Sequence, residues 1–442
     1  MAVPHAPAAD LPDESPPPDG VLEARARAWH LSGDPTTIWP GLDPRDLQPA
    51  ADAMGAAAAR ILDGGAATLG AADGRDAYAI GIAALVSGMG PLLGHWLERG
   101  RLDASEAAAR LLAAHLAHGR RRAERIARGT LPAVERLAAV GVAPTVIKGF
   151  HTSHDYFPEP GARPLADVDL LVAPDEIPRA EGALREAGFS GSDFVESPYK
   201  RDFYPADDDA RIWSFELRHA RDRWKVELHG GVHFGELTRY GVRLDAPASA
   251  LRPWDALGVP LRVPAQPLLA AILSVHVAGE LYVMRLLRLV ELTLVVRRDR
   301  ERGLLDWDAL EELLRRSGAT RFALPAFALA ERLAPGTVDA GFLARVRAAS
   351  PRRTRVVTDR FSPTAPLIQG HVSLAERLML AQGPMQTVMR LAQLAVPHAG
   401  ERSWSGLVRT YHRGILRLLT GRVSWRGERT APPPPPERVS GD

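Results

Sequence analysis

The spacing of apolar residues changes period twice along this 442-residue chain, and that switch limits its fold more than any other feature. Residues 21–143 are rich in Ala, Leu and Arg at helical spacing. Residues 144–235 break into short runs in which apolar and polar residues alternate. From about residue 265 the helical texture returns and persists to about residue 420. Alternation marks a strand with one buried face, and a 3.6-residue period marks an amphipathic helix. The pattern therefore predicts an α+β fold, with a small mixed-sheet core between helical N- and C-terminal regions. Five segments are expected: a disordered stretch 1–20, a helical region 21–143, an α/β core 144–235, a mostly helical region 236–426 and a disordered Pro-rich tail 427–442. No internal repeat is visible.

Within the first region, Asp103-Ala-Ser-Glu opens one long helical pattern. A second runs through Leu131, Val134, Leu137 and Val140 and is stopped by Gly141. In the core, Val146-Ile147 and Val168–Val172 read as strands, Asp175–Ala187 as an amphipathic helix ended by Gly188, and Arg211–His219 and Lys225–His229 as alternating strands.

Composition narrows the partners. The formal net charge is only +2, although the pI is near 9. A nucleic-acid footprint needs a clustered basic face, so nucleic acid is not the favoured partner. The chain has no cysteine, which excludes disulfides, thiolate metal sites and a cysteine nucleophile. Residues 1–20 lack the basic and apolar regions of a secretory signal. The most apolar windows, Tyr78–Gly94 and Leu281–Val296, are short or interrupted by Gly, Pro or charge. A spanning helix needs roughly 20 apolar residues, so no transmembrane segment is expected and the location is expected to be cytoplasmic.

Residues 145–172 carry the chemistry. A short apolar strand ends in Lys148-Gly149; Arg163 follows, four residues before Asp167-x-Asp169. Side chains on a strand return to one face every second residue. Asp167 and Asp169 therefore project together, while Val168, Leu170 and Val172 point into the core. Two carboxylates held side by side invite a divalent cation; without one they repel each other and one tends to stay protonated. About 60 residues on, Lys225–His229 brings a third acid, Glu227, with His229 on the same face. Three carboxylates from two neighbouring strands can build a two-metal site for displacement at phosphorus, and Mg²⁺ prefers such an oxygen-rich ligand set.

The segments VIKGF (146–150), ARPLADVDLLV (162–172) and, more loosely, KVELHGGV (225–232) resemble the uncharacterised bacterial nucleotidyltransferase family of the DNA polymerase β-like superfamily. A fainter resemblance continues through His276 and LLRLVEL (286–292). The resemblance implies a nucleotidyltransferase core and transfer of an NMP from an NTP to an acceptor hydroxyl, with release of pyrophosphate. It implies that Asp167 and Asp169 ligate both Mg²⁺ ions and that Glu227 is the third carboxylate. Lys148, Gly149, Arg163 and His229 are the implied nucleotide-binding residues, with Gly149 letting backbone approach the triphosphate and Arg163 contacting phosphate or bracing the acids. The superfamily more often has Gly-Ser at the turn and Asp at the third acid. The acceptor stays open, whether a small molecule, a peptide or metabolite, a protein side chain or an RNA end. Two further readings stand beside this one: a catalytically degenerate nucleotide-binding or scaffold protein, and a toxin-like enzyme that nucleotidylates tRNA.

Other signals have plainer readings. His151-x-x-His154 and His229-x-x-x-His233 have spacings found in zinc sites but flank the acids. GMGPLLG (88–94) lacks the strand and the glycine spacing of a phosphate loop. Asp207-Asp208-Asp209 reads as a solvated turn. Arg121, Arg125 and Arg128, and likewise Arg409, Arg413 and Arg417, read as solvated helix faces, with phosphate or nucleic-acid contact the alternative for the first and an anionic membrane surface or a partner for the second.

Overall fold

The computed structural model describes residues 44–70, 74–192, 199–206, 220, 222–234, 242–279, 281, 285–364, 378–381 and 383–395. The expected strand at Arg211–His219, the acidic run 207–209, the terminal segments 1–20 and 427–442 and the Arg409–Arg417 face lie outside them.

The N-terminal helical region comprises α1 (Pro44–Leu62), α2 (Gly74–Ser87), α3 (Gly90–Glu98) and α4 (Glu106–Ala139), with β1 (Ala67–Thr68) and β2 (Leu102–Asp103) paired in parallel. The two helical patterns read between Asp103 and Val140 are one 34-residue helix, α4. Its N-cap is Ser105, whose hydroxyl accepts the Ala108 amide at 3.3 Å. Pro132 lies inside it and removes one helical donor, yet burial of Ile126, Ala133, Val134 and Leu137 holds the helix on both sides. Gly141, at φ 74°, ends it.

The strand-rich part follows: β3 (Thr145–Val146), α5 (Phe150–Asp155), a 3-10 turn at Pro160–Ala162, β4 (Asp167–Leu171), α6 (Ile177–Glu186), β5 (Phe189–Gly191), β6 (Lys200–Pro205), β7 (Lys225–His229), β8 (Val232–Phe234), β9 (Val242–Leu244), β10 (Leu251–Trp254) and β11 (Leu261–Pro264). Seven of these strands form one mixed sheet in the order β10-β11-β3-β4-β7-β6-β5. The sheet thus takes two strands from residues 251–264, beyond the stretch in which alternation is legible. Strand β4 runs parallel to β7, and β7 antiparallel to β6.

One face of the sheet packs on α4 and α6. Val168 and Leu170 of β4, Val226 and Leu228 of β7 and Phe203 of β6 join Ile126, Val134, Leu137, Ala180 and Leu184 in one apolar cluster. Burying one face of a strand with period two leaves the residues between to the other face. That second face carries the charged residues of the site.

Helices resume with α7 (Leu268–Gly279), α8 (Arg285–Glu301), α9 (Trp307–Arg316), α10 (Thr320–Leu333), α11 (Ala340–Ala349), α12 (Arg352–Arg360) and α13 (Gly383–Ala395). Helices α7–α12 share a larger core with α1–α3. Helical regions thus flank a mixed-sheet α+β core, as the texture of the sequence predicts. Among the described residues no single helix is long and apolar enough to cross a membrane; the apolar window at Tyr78–Gly94 divides between α2 and α3, which bend by 119°.

Candidate active site

The register of β4, β7 and β6 assembles the site. Asp169 lies opposite Glu227 across the parallel pair, and Asp202 of β6 lies opposite Glu227 on its other side. One row away Asp167 is opposite Lys225, and on the other side His229 is opposite Lys200. Neighbouring strands are about 4.8 Å apart, so side chains matched in this way on one face meet. The His229 Nε2 is 3.0 Å from Asp169 Oδ1 and 3.5 Å from Glu227 Oε2. One ligand atom each from Asp169, Glu227 and His229 falls within 4.8 Å of the others, and all three side chains are buried. Asp167 is half-buried and stands outside this tight group.

Burial of so much charge polarises the site. Burial, and then repulsion from Asp169 and Glu227, pushes the Asp167 carboxyl up to about 6. Burial would raise Asp169 too, but the Lys148 ammonium, 3.1 Å from its Oδ1, and His229 hold it below the ordinary range. The first aspartate is thus the more basic of the pair. Burial opposes ionisation of Glu227 as well, yet Lys225, His229 and Lys200 keep it well below the usual carboxylate range. Burial alone would lower His229, whereas its bonds to Asp169 and Glu227 raise it to about 9.

A divalent cation fits these residues. Asp169 Oδ2 and His229 Nδ1 are buried without a hydrogen-bond partner, and a buried carboxylate oxygen left so is costly. The donor set is carboxylate and imidazole, acceptable to hard and borderline cations.

The Lys148-Gly149 turn after β3 is held by a second network. Gly149 sits at φ 22°, and a Cβ there would lie 3.1 Å from Arg163 Nη1. The space over Gly149 is therefore filled by the Arg163 guanidinium. Arg163 does not brace the aspartates with these donors. Its Nε and Nη2 form a fork to Glu291 Oε1 and Oε2 at 2.9 and 3.0 Å, and Nη1 donates to the Pro164 carbonyl at 3.1 Å. Glu291, on α8, also accepts from the Thr152 hydroxyl, and Arg288 approaches it at 3.5 Å. Both Arg163 and Glu291 are buried. Glu291 thus ties the helical C-terminal region to α5, which follows the Lys148-Gly149 turn, and to the segment that leads into β4.

Three site residues escaped the sequence reading: Lys200, Asp202 and Lys225. Lys225 Nζ is 2.5 Å from Glu227 Oε1 and 2.7 Å from Asp202 Oδ2; Lys200 Nζ is 3.1 Å from the same Glu227 oxygen. Period two from Glu227 and His229 places Lys225 on their face, so its position was available from the alternation alone.

Arg125 is not merely solvated: its Nη1 donates to the carbonyls of Ala220 and Asp222 at 3.1 and 3.0 Å. Arg128 pairs with Glu124 along the helix. The buried arginine of α4 is Arg122, which donates to the carbonyls of Leu165, Asp222 and Arg223 and so ties α4 to the entrances of β4 and β7. His151 pairs with Asp155 at 3.1 Å, His154 bonds the Phe150 carbonyl at 2.8 Å, and His233 stacks on Tyr199. Residues 88–94 form a glycine turn and the buried start of α3. His276 is buried on α7.

A family model described as "Uncharacterised nucleotidyltransferase" matches residues 76–335, which include every residue of the site. No curated protein and no solved structure matches the chain significantly.

Proposed function

We propose that this chain, which belongs to the uncharacterised nucleotidyltransferase family, is a Mg²⁺-dependent enzyme that moves an NMP from an NTP to an acceptor hydroxyl. The observation that carries the reading is the register of Asp169 against Glu227, with His229 completing a buried ligand group and one Asp169 oxygen lacking a partner. Asp169, Glu227 and His229 would hold the cation, with Asp167 beside them. Bound there, Mg²⁺ supplies charge to the phosphate oxygens and makes the acceptor hydroxyl more acidic.

The remaining steps belong to the chain's own side chains. Lys148, beside Asp169, places an ammonium where phosphate charge must be neutralised. The acceptor oxygen attacks the α-phosphorus in line, the bond to the bridging oxygen breaks, and pyrophosphate leaves with that electron pair. The acceptor proton passes to Asp167, whose carboxyl is the most basic of the three. Arg163 serves the turn through Glu291 instead of reaching the phosphates. Such transfer depends chiefly on positioning and on fixed charge. The acceptor is a hydroxyl on a small molecule, peptide or protein, and a cytoplasmic setting supplies the NTP.

The test is incubation with Mg²⁺, each labelled NTP and mixed hydroxyl acceptors, comparing wild type with Asp169→Asn. Pyrophosphate release or an NMP-sized mass gain that the variant loses by about a thousandfold agrees with the reading. Failure of all four NTPs to bind with Mg²⁺ present overturns it. A second reading, a nucleotide-binding protein without catalysis, is favoured by one observation: Lys225 and Lys200 already sit on the Glu227 carboxylate. NTP binding without turnover on any acceptor would select it.

A further inference from the structure

The two lysines on Glu227 have a chemistry of their own. Lys225 lies two residues before Glu227 on the same strand face, and Lys200 reaches across from β6. Both ammonium groups converge on a single oxygen, Glu227 Oε1, while Oε2 faces His229. Their side chains are only 16% and 17% exposed. Asp202 shares the pair, 2.7 Å from Lys225 and 4.0 Å from Lys200.

Two like charges drawn to one buried oxygen repel each other, so the arrangement persists only where the surroundings demand the charge of two cations. That is the charge of one divalent ion. With two ammonium groups on Oε1, Glu227 offers that oxygen to a metal only after a lysine moves off. A displaced ammonium that stays buried must find another anion, because a buried unpaired charge is costly. Four carboxylates, Asp167, Asp169, Glu227 and Asp202, stand with three ammonium groups, Lys148, Lys200 and Lys225. Addition of a divalent ion tips that set positive. The anion that restores the balance and arrives with the metal is a triphosphate.

We propose that Lys225 and Lys200 stand in for the cation at Glu227 and become ligands of the nucleotide phosphates when metal and nucleotide arrive, so that the site takes its metal together with a nucleotide. The proposal rests on the nucleotidyl-transfer reading and adds two phosphate-binding residues to it. It also accounts for the lysines without making the protein inactive.

The test needs no turnover. Mn²⁺ binding to the full chain is followed by electron paramagnetic resonance, alone and with the α,β-methylene analogue of each of the four NTPs. Wild type is expected to bind Mn²⁺ weakly alone and about tenfold or more tighter with an analogue. Lys225→Met should bind Mn²⁺ alone several-fold tighter than wild type, because its competitor is gone, and should lose most of the tightening by nucleotide. Lys200→Met should move both quantities the same way, and it keeps the test open if Lys225→Met does not fold. Unchanged or weaker Mn²⁺ binding by a folded lysine variant overturns the proposal, as does wild-type binding that no analogue tightens. If wild type binds Mn²⁺ and analogue together but the variants leave Mn²⁺ affinity unmoved, the nucleotidyl-transfer reading survives alone. If wild type binds neither, both fall.

Discussion

Replacing Glu291 by Gln should lower folding stability at pH 7 by about 3 kcal/mol, and the deficit should shrink in acid. The Glu291 carboxylate is buried against the forked Arg163 guanidinium, with Arg288 and the Thr152 hydroxyl beside it. Burial alone would raise its pKa, but the two arginines and the hydrogen bonds draw it from 4.5 to about 2. At about 1.4 kcal/mol per pH unit, that gap of roughly 2.5 corresponds to about 3 kcal/mol. The same magnitude is typical when one partner of a buried pair is removed. Because the folded pKa is depressed, the contribution is fully present above the unfolded value of about 4.5 and is lost as pH falls through about 2. Urea denaturation of wild type and Glu291→Gln, repeated from pH 7 down to about 2.5, measures the difference at each pH and cancels most other titrations. Arg163→Met should cost a similar amount, whereas Arg163→Met/Glu291→Leu should recover much of the loss, since an apolar pair leaves no charge unpaired. A deficit below about 1 kcal/mol at pH 7, or one that stays constant between pH 5 and pH 2.5, would refute the reasoning.

Three other perturbations test the framework around the site. Gly149→Ala adds a Cβ at 3.1 Å from Arg163 on a residue with positive φ; a loss of about 1–2 kcal/mol in urea is expected, with weaker NTP binding by calorimetry. Gly119→Ala sets a Cβ 2.3 Å from the Gly161 carbonyl, where backbone meets backbone and cannot swing aside; about 2–3 kcal/mol should be lost, and a neutral result would mean that α4 and the Pro160–Ala162 turn are not so closely packed. Arg122→Met removes the donors to three carbonyls, and a drop of about 3 kcal/mol or more in chemical denaturation is expected.

What was legible in the chain was local. The β4 and β7 segments announce themselves because Val168, Leu170, Val226 and Leu228 bury one face at period two. Strand β6 (KRDFYP) is hidden by its own composition. Its site-facing Lys200 and Asp202 and its largely polar composition leave Phe203 as the only fully buried residue on the core side. Strand β10 (LRPW) carries Pro253, which argues against a strand; it is tolerated because β10 lies at the sheet edge. Its pairing with β11, and that of β11 with β3, depend on contacts more than a hundred residues from the Lys148-Gly149 turn in sequence, or on a short edge hairpin, and periodicity reports neither.

The site divides along the same line between local and distant. The spacing of Asp167, Asp169, Glu227 and His229 could suggest one metal site, but whether Glu227 meets Asp169 depends on the parallel register, and a slip of one residue would turn it to the opposite face. Arg163 shows the reverse relation. Closeness to the aspartates in sequence suggested that it works on them or on phosphate, yet its partner is Glu291, 128 residues away. Residues of one short motif therefore hold two posts. Asp169 lines the charged face, whereas Arg163 and Gly149 shape the turn that carries Lys148. The two posts differ by measurement. Asp169→Asn should weaken Mn²⁺–nucleotide binding while leaving the Arg163–Glu291 core unaltered. Glu291→Gln should first lower stability, and affect the nucleotide only as far as Lys148 is displaced. If Glu291→Gln abolished nucleotide binding at full stability, Arg163 would belong to the phosphate site after all.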